Sequence, residues 1–208
     1  VTDEEKNGLI FEKLLDESVR IHGHLCPGQV LGVRMSMFGL GKAGIADPRG
    51  KDRKSIMVYV EIDRCATDAI QSVTGCSLGK RTLKFMDYGK MAATFVNLGK
   101  RDAGTNRFRG VRVLAKEESR KTAMNYFPGI GDKYQRQTAA YKVMPDDELF
   151  AWREVLVEIP EEDMPGRPLQ RIECGKCGEH VQDRREIRTG GKPLCRACAG
   201  GAYYEELR

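Results

Sequence analysis

The sequence has no run approaching the roughly 18 consecutive apolar residues of a membrane span, which argues against a spanning helix. Its opening, Val1-Thr2-Asp3-Glu4-Glu5-Lys6, is polar and acidic, unlike the basic-then-apolar start of a secretory signal. A cytoplasmic protein is expected. No Gly-x-Ser-x-Gly elbow, Gly-x-Gly-x-x-Gly fingerprint or pair of catalytic carboxylates can be read, so serine-hydrolase, dinucleotide and paired-acid chemistries find no support. Internal repeats and low-complexity tracts are also missing. Histidine is scarce, with 3 in 208 residues, so where they fall matters. The net charge of +5 is a mild excess that says little until it is located along the chain.

What is present suits a packed domain plus a module. Apolar residues make up 40% and charged residues 31%, and 23 glycines point to many turns or close backbone approaches. The periodicity predicts helices over 3–21 and 27–38, the second ended by Gly39, Gly41 and Gly44. A strand at 55–63 follows, then a short helix at 66–73 capped by Gly75. Strands at 81–86 and 92–96 turn at Asp87-Tyr88-Gly89-Lys90, and another covers 111–114. Helices at 116–127 and 132–143 and a strand at 154–159 complete the large domain, 1–159. The proline-rich stretch 160–170 reads as an extended linker, and 171–208 as a small separate module. Helices and strands without regular βαβ alternation predict an α+β fold: N-terminal helices on a mixed or antiparallel sheet.

Seven cysteines carry the chemistry. With no secretory signal they should stay reduced and available to metal. Cys174, Cys177, Cys195 and Cys198 form two C-x-x-C pairs at the spacing of a structural zinc site: two knuckles complete a tetrahedron and leave no open position. Iron accepts the same sulfur cage. His180, between the knuckles, reads as a surface histidine. Residues 171–208 carry eight basic and six acidic side chains, so protein docking or dimerisation fits at least as well as nucleic-acid binding.

His22, His24 and Cys26 fall within five residues, and Cys65 follows a buried strand. Imidazole and thiolate together suit zinc or iron, and Asp63 or Asp68 would orient a histidine as a hydrogen-bond acceptor. The same residues also fit capping histidines and buried free cysteines, or a Cys-His nucleophile. Cys76 reads as a buried thiol or a reserve ligand. Gly75-Cys76-Ser77-Leu78-Gly79-Lys80 offers amide groups and an ammonium, so Gly75, Cys76, Ser77, Gly79 and Lys80, with Asp68 nearby, form a candidate anion or substrate site beside the metal ligands. An ordinary glycine turn is the alternative. Residues 100–121, with eight Lys or Arg against three acids, read as a solvated hairpin and helix face or as a docking surface for an acidic ligand, an acidic protein or nucleic acid, and could join that same loop in receiving an acidic group.

Three segments, His22-Gly23-His24-Leu25-Cys26-Pro27-Gly28, Cys65-Ala66-Thr67-Asp68-Ala69-Ile70-Gln71 and Thr74-Gly75-Cys76-Ser77-Leu78-Gly79-Lys80, resemble in type and order the FmdE family, named for a component of formylmethanofuran dehydrogenase. The resemblance covers roughly 9–159, and the four-cysteine module is similar to the zinc finger that many members append. It implies an α+β domain, a metal near His22–Cys26, a homodimer, and association with a larger oxidoreductase complex of one-carbon metabolism. Three functional classes follow: a metal-dependent subunit or accessory handling a one-carbon or pterin-type anionic small molecule, a metal or metallocofactor carrier, and a zinc-finger adaptor.

Overall fold

The computed structural model describes residues 2–207. The chain divides into two compact units, 1–159 and 160–208.

In the large unit, α1 (Asp3–His22) starts at a capping box between Thr2 and Glu5 and ends on Gly23 in the left-handed conformation. Four residues later Pro27 opens α2 (Pro27–Ala43). This helix runs past Gly39 and Gly41 and stops at Gly44, φ +73°, so Gly39 is no stop signal. A Cβ there would lie 2.2 Å from the Phe95 ring, which explains the glycine as a seat for that ring. Strand β1 (Ile56–Val60) leads into α3 (Cys65–Thr74), and β2 (Leu83–Phe85) returns parallel to β1.

β2 and β3 (Ala92–Arg101) do not form the hairpin that the 87–90 turn suggested. The chain wraps around the end of β1, with Met86 N–H donating to the Val60 carbonyl and Lys90 N–H to that of Glu61. β3 therefore pairs antiparallel with β1 on its other side. β4 (Arg107–Ala115) and β5 (Phe150–Glu158) complete a mixed five-stranded sheet of order β2-β1-β3-β4-β5. Between them come α4 (Ser119–Tyr126), α5 (Lys133–Val143) and the single turn α6 (Asp146–Leu149). The fold is α+β, with one parallel βαβ crossover in an otherwise antiparallel sheet.

Phe11, Leu15, Val30, Val33, Ile56, Val58, Phe95, Val111 and Tyr141 belong to one buried cluster joining the helices to the sheet. Ala92 to Asn97 are all buried, so central β3 shows no alternation. Next to it, Arg112 holds the buried Glu61 carboxylate with two hydrogen bonds of 2.6 Å.

The small unit begins with a 3-10 turn, Glu161–Asp163, whose carboxylates pair with Arg184 and Arg185 inside the same unit. Hairpins β6 (Arg171–Glu173) with β7 (His180–Gln182), and β8 (Ile187–Thr189) with β9 (Lys192–Leu194), precede α7 (Arg196–Gly200).

Candidate metal centres

The large unit's candidate site forms where three helix ends meet. His22 is the last residue of α1, Cys26 precedes the first turn of α2, and Cys65 is the first residue of α3. The short link through Gly23 brings the end of α1 to the start of α2. Cys65 is brought up by close packing: a Cβ on Gly28 would lie 2.8 Å from the Cys65 Cβ, and one on Gly32 would lie 2.6 Å from the Ala66 carbonyl oxygen. Buried Gln29 adds a polar tie. It accepts from the Ser18 hydroxyl of α1 and donates to the Cys65 carbonyl at 2.6 Å. One side chain thus links all three helices behind the site.

A ring nitrogen of His22 and the sulfurs of Cys26 and Cys65 lie within 4.8 Å of one another. Asp68, one turn into α3, holds His22 Nδ1 at 2.8 Å. The other nitrogen, Nε2, is buried and has no hydrogen-bond partner among the described residues. A buried polar atom left unmatched costs free energy, so its presence calls for a missing partner. Burial raises the Cys65 thiol above its ordinary range, and neighbouring Cys26 pushes the same way. The Cys65 backbone amide, at the N-terminus of α3, acts in the opposite sense. A bound cation would strengthen that opposing effect and occupy the space facing Nε2. The donor set of one imidazole and two thiols fits zinc or iron.

His24 is not within that triad. It is exposed, its ring centroid 4.7 Å from that of His22. Asp63 is exposed, and Asp68 is the carboxylate on His22. Cys76 is buried beyond the other end of α3, its thiol raised by burial.

The anion loop does not lie beside the metal ligands as expected. Gly75 caps the C-terminus of α3, while Cys65 begins it, roughly 15 Å away along ten residues of helix. Its groups also have partners within the loop. The amides of Cys76, Ser77 and Lys80 donate to Thr74, Thr82 and Ser77 hydroxyls, and Lys80 Nζ donates to the Gly75 carbonyl at 2.9 Å. Gly75, Cys76, Ser77, Gly79 and Lys80 thus form a turn in which the Cys76, Ser77 and Lys80 amides and the Lys80 ammonium are already paired, and Asp68 belongs to the histidine instead. Lys100 and Arg109 of the basic segment border a different cleft, at the far end of α2 with Lys42, where Lys100 Nζ donates to the Ala43 carbonyl.

In the small unit the four sulfurs of Cys174, Cys177, Cys195 and Cys198 also lie within 4.8 Å of one another. Cys174 directly follows β6 and begins the first knuckle, while Cys195 caps α7 and Cys198 sits in its first turn. Backbone amides of Cys177, Cys195 and Lys176 bring Cys174 down to about 6. Cys198 is driven up to about 12 by Cys195 first, then by burial and the other thiols. Four thiols this close cannot all ionise without a cation among them. His180, on β7, is exposed and outside the group.

Residues 21–164, more than half the chain, match the family model described as "FmdE, Molybdenum formylmethanofuran dehydrogenase operon". The chain belongs to the FmdE family. A protein of Archaeoglobus fulgidus, described as a "probable S-adenosyl-L-methionine-binding protein", is 32% identical over 92% of this chain and 54% of its own length. The chain thus spans about half the length of that curated relative. A crystal structure of an FmdE-like protein of the tungsten formylmethanofuran dehydrogenase type, from Syntrophus aciditrophicus, is similar at a TM-score of 0.57 and 20% identity. The similarity covers 94% of this chain and 95% of the other. At that identity it shows the FmdE fold alone.

Sequence spacing alone did not single out Gln29 or Gly32 as parts of the site. Gly28 and Gly32, four apart on one helix face, were the available signal for close packing.

Proposed function

We propose that this chain binds two metal ions: a structural zinc held by Cys174, Cys177, Cys195 and Cys198, and a functional zinc or iron held by His22, Cys26 and Cys65. The observation that carries the second is the buried, unpartnered Nε2 of His22, fixed from behind by Asp68. A metal with three protein ligands keeps a position for an outside ligand and acts on it as a Lewis acid. The residues supply the rest. Asp68 orients the imidazole and Gln29 locks the helix carrying Cys65. The family description supports a role as subunit or accessory in formylmethanofuran dehydrogenase-type one-carbon chemistry. A homodimer and docking on a larger oxidoreductase belong to this same reading.

Elemental analysis of the wild type, Cys26→Ser and Cys174→Ser tests it. Two metals per chain are expected in the wild type and one in each variant. Asp68→Asn should weaken the first site by about 10–100-fold. One metal in the wild type, lost only in Cys174→Ser, would favour an adaptor role. A carrier instead predicts easy exchange of the first metal with no ligand-binding activity.

A second reading rests on the Archaeoglobus fulgidus relative, whose described ligand is S-adenosyl-L-methionine. Calorimetric titration with that compound checks it: saturable binding in the Cys26→Ser variant would place the ligand away from the metal.

A further inference from the structure

One member of the triad, Cys26, also borders a cleft that the triad's own chemistry does not explain. Cys26 lines both the triad and a cleft of 680 Å³ between the His24–Pro27 turn and α5. The far wall is a stripe of α5 at helical spacing, Tyr134, Thr138 and Lys142, with Gln135 and Ala139 alongside. Arg34 holds the end of that wall: its guanidinium donates to the carbonyls of Tyr141 and Met144, both at 2.9 Å, and to Asp146. The cleft is therefore built by buttressed helices and sized for a small ligand.

Its lining is chemically one-sided. His24 presents an exposed imidazole at one edge and Lys142 an ammonium at the other, and no carboxylate lines it among the described residues. Lys142 is paired with the exposed Glu12 carboxylate just outside the cleft, through bonds of 3.2 and 3.1 Å to its two oxygens.

We propose that this cleft binds a small organic anion that gives one donor atom to the metal on His22, Cys26 and Cys65 and a carboxylate to Lys142 and His24. The inference rests on the metal reading above. Glu12 then acts as a competitor that holds Lys142 in the absence of ligand. An anionic group meeting an ammonium beside a half-buried cysteine forms a charge-assisted hydrogen bond, stronger than one to a neutral group. Tyr134 and Leu25 offer apolar surface to the ligand's body.

The test uses the full chain loaded with cobalt(II), and reads the difference spectrum between wild type and Cys26→Ser. The probes are mercaptoacetate and 2-mercaptoethanol, which share a thiol donor and differ in the carboxylate. Mercaptoacetate should bind about tenfold more tightly than its neutral counterpart. Lys142→Met should abolish that preference without changing metal content, and Glu12→Gln should increase it. Equal affinities for the two probes in the wild type, or a preference indifferent to both substitutions, would overturn the anion cleft. An absent cobalt signal at the triad would instead defeat the metal reading itself, so the two failures are distinguishable.

Discussion

Replacing Gly32 by alanine examines the packing that creates the first metal site. The added methyl would lie 2.6 Å from the Ala66 carbonyl oxygen, 2.6 Å from the Ala69 Cβ and 2.9 Å from the Ala66 Cα. Two of these atoms are backbone of α3, so no side chain can swing aside. In an exposed helix, Gly→Ala is favourable by about 1 kcal/mol. Here that gain is opposed by overpacking, which costs about 1–3 kcal/mol or more. The result is a net loss of up to about 2 kcal/mol, or a drop in melting temperature of up to roughly 8 °C for the large unit. The same displacement moves Cys65 away from Cys26, so the first metal should be lost or weakly held while the four-cysteine metal stays. Gly8, in the second turn of α1 with nothing within 4 Å of a Cβ, supplies the control. Gly8→Ala should stabilise by up to about 1 kcal/mol. Denaturant unfolding with metal analysis on both variants reads all of this. A Gly32→Ala protein as stable as Gly8→Ala, with full metal content, would refute the packing argument.

Three further outcomes follow from the same structure. Cys174→Ser should release one metal and leave residues 172–208 sensitive to protease, since about 10–16 kcal/mol of apparent metal binding holds such modules together; the large unit should survive limited proteolysis. Arg112→Met should destabilise the large unit by about 3–5 kcal/mol in denaturant, because the Glu61 carboxylate stays buried without its partner, and adding Glu61→Gln should recover most of the loss. Metal affinity at the first site should climb with pH through neutrality: Cys65 holds its proton above the ordinary thiol range, and binding must release it. A competition titration with a chromophoric chelator reads that slope, and a flat profile would show that thiolates are not the ligands.

Much of the architecture was legible in the sequence because local signals and packing agreed. Thr2 with Glu5, Gly23, Pro27 and Gly75 mark helix ends by cap chemistry that depends on neighbours a few residues away. Where the deciding contact is remote, the local signal misleads. Gly39 looks like a terminator until Phe95, more than fifty residues later, lies against it. The 87–90 turn looks like a hairpin because nothing nearby reveals that β1 already occupies the place between the two strands. The candidate site shows the same division. The C-x-x-C pairs announce themselves because a knuckle is a local structure. His22, Cys26 and Cys65 are visible as residue types, yet their grouping without His24 depends on how Gly28 and Gly32 seat α3. The anion loop illustrates the opposite failure: residues close in sequence to Cys65 stand a full helix length from it.

The central claim is that His22, Cys26 and Cys65 hold a metal. Anomalous diffraction at the zinc and iron absorption edges from metal-replete crystals measures it directly. Two peaks per chain are expected, one inside the four cysteines and one at about 2.0–2.1 Å from His22 Nε2 and about 2.3 Å from the Cys26 and Cys65 sulfurs if the ion is zinc. A peak at the four cysteines alone, with His22 Nε2 facing a water or a side chain, would contradict it.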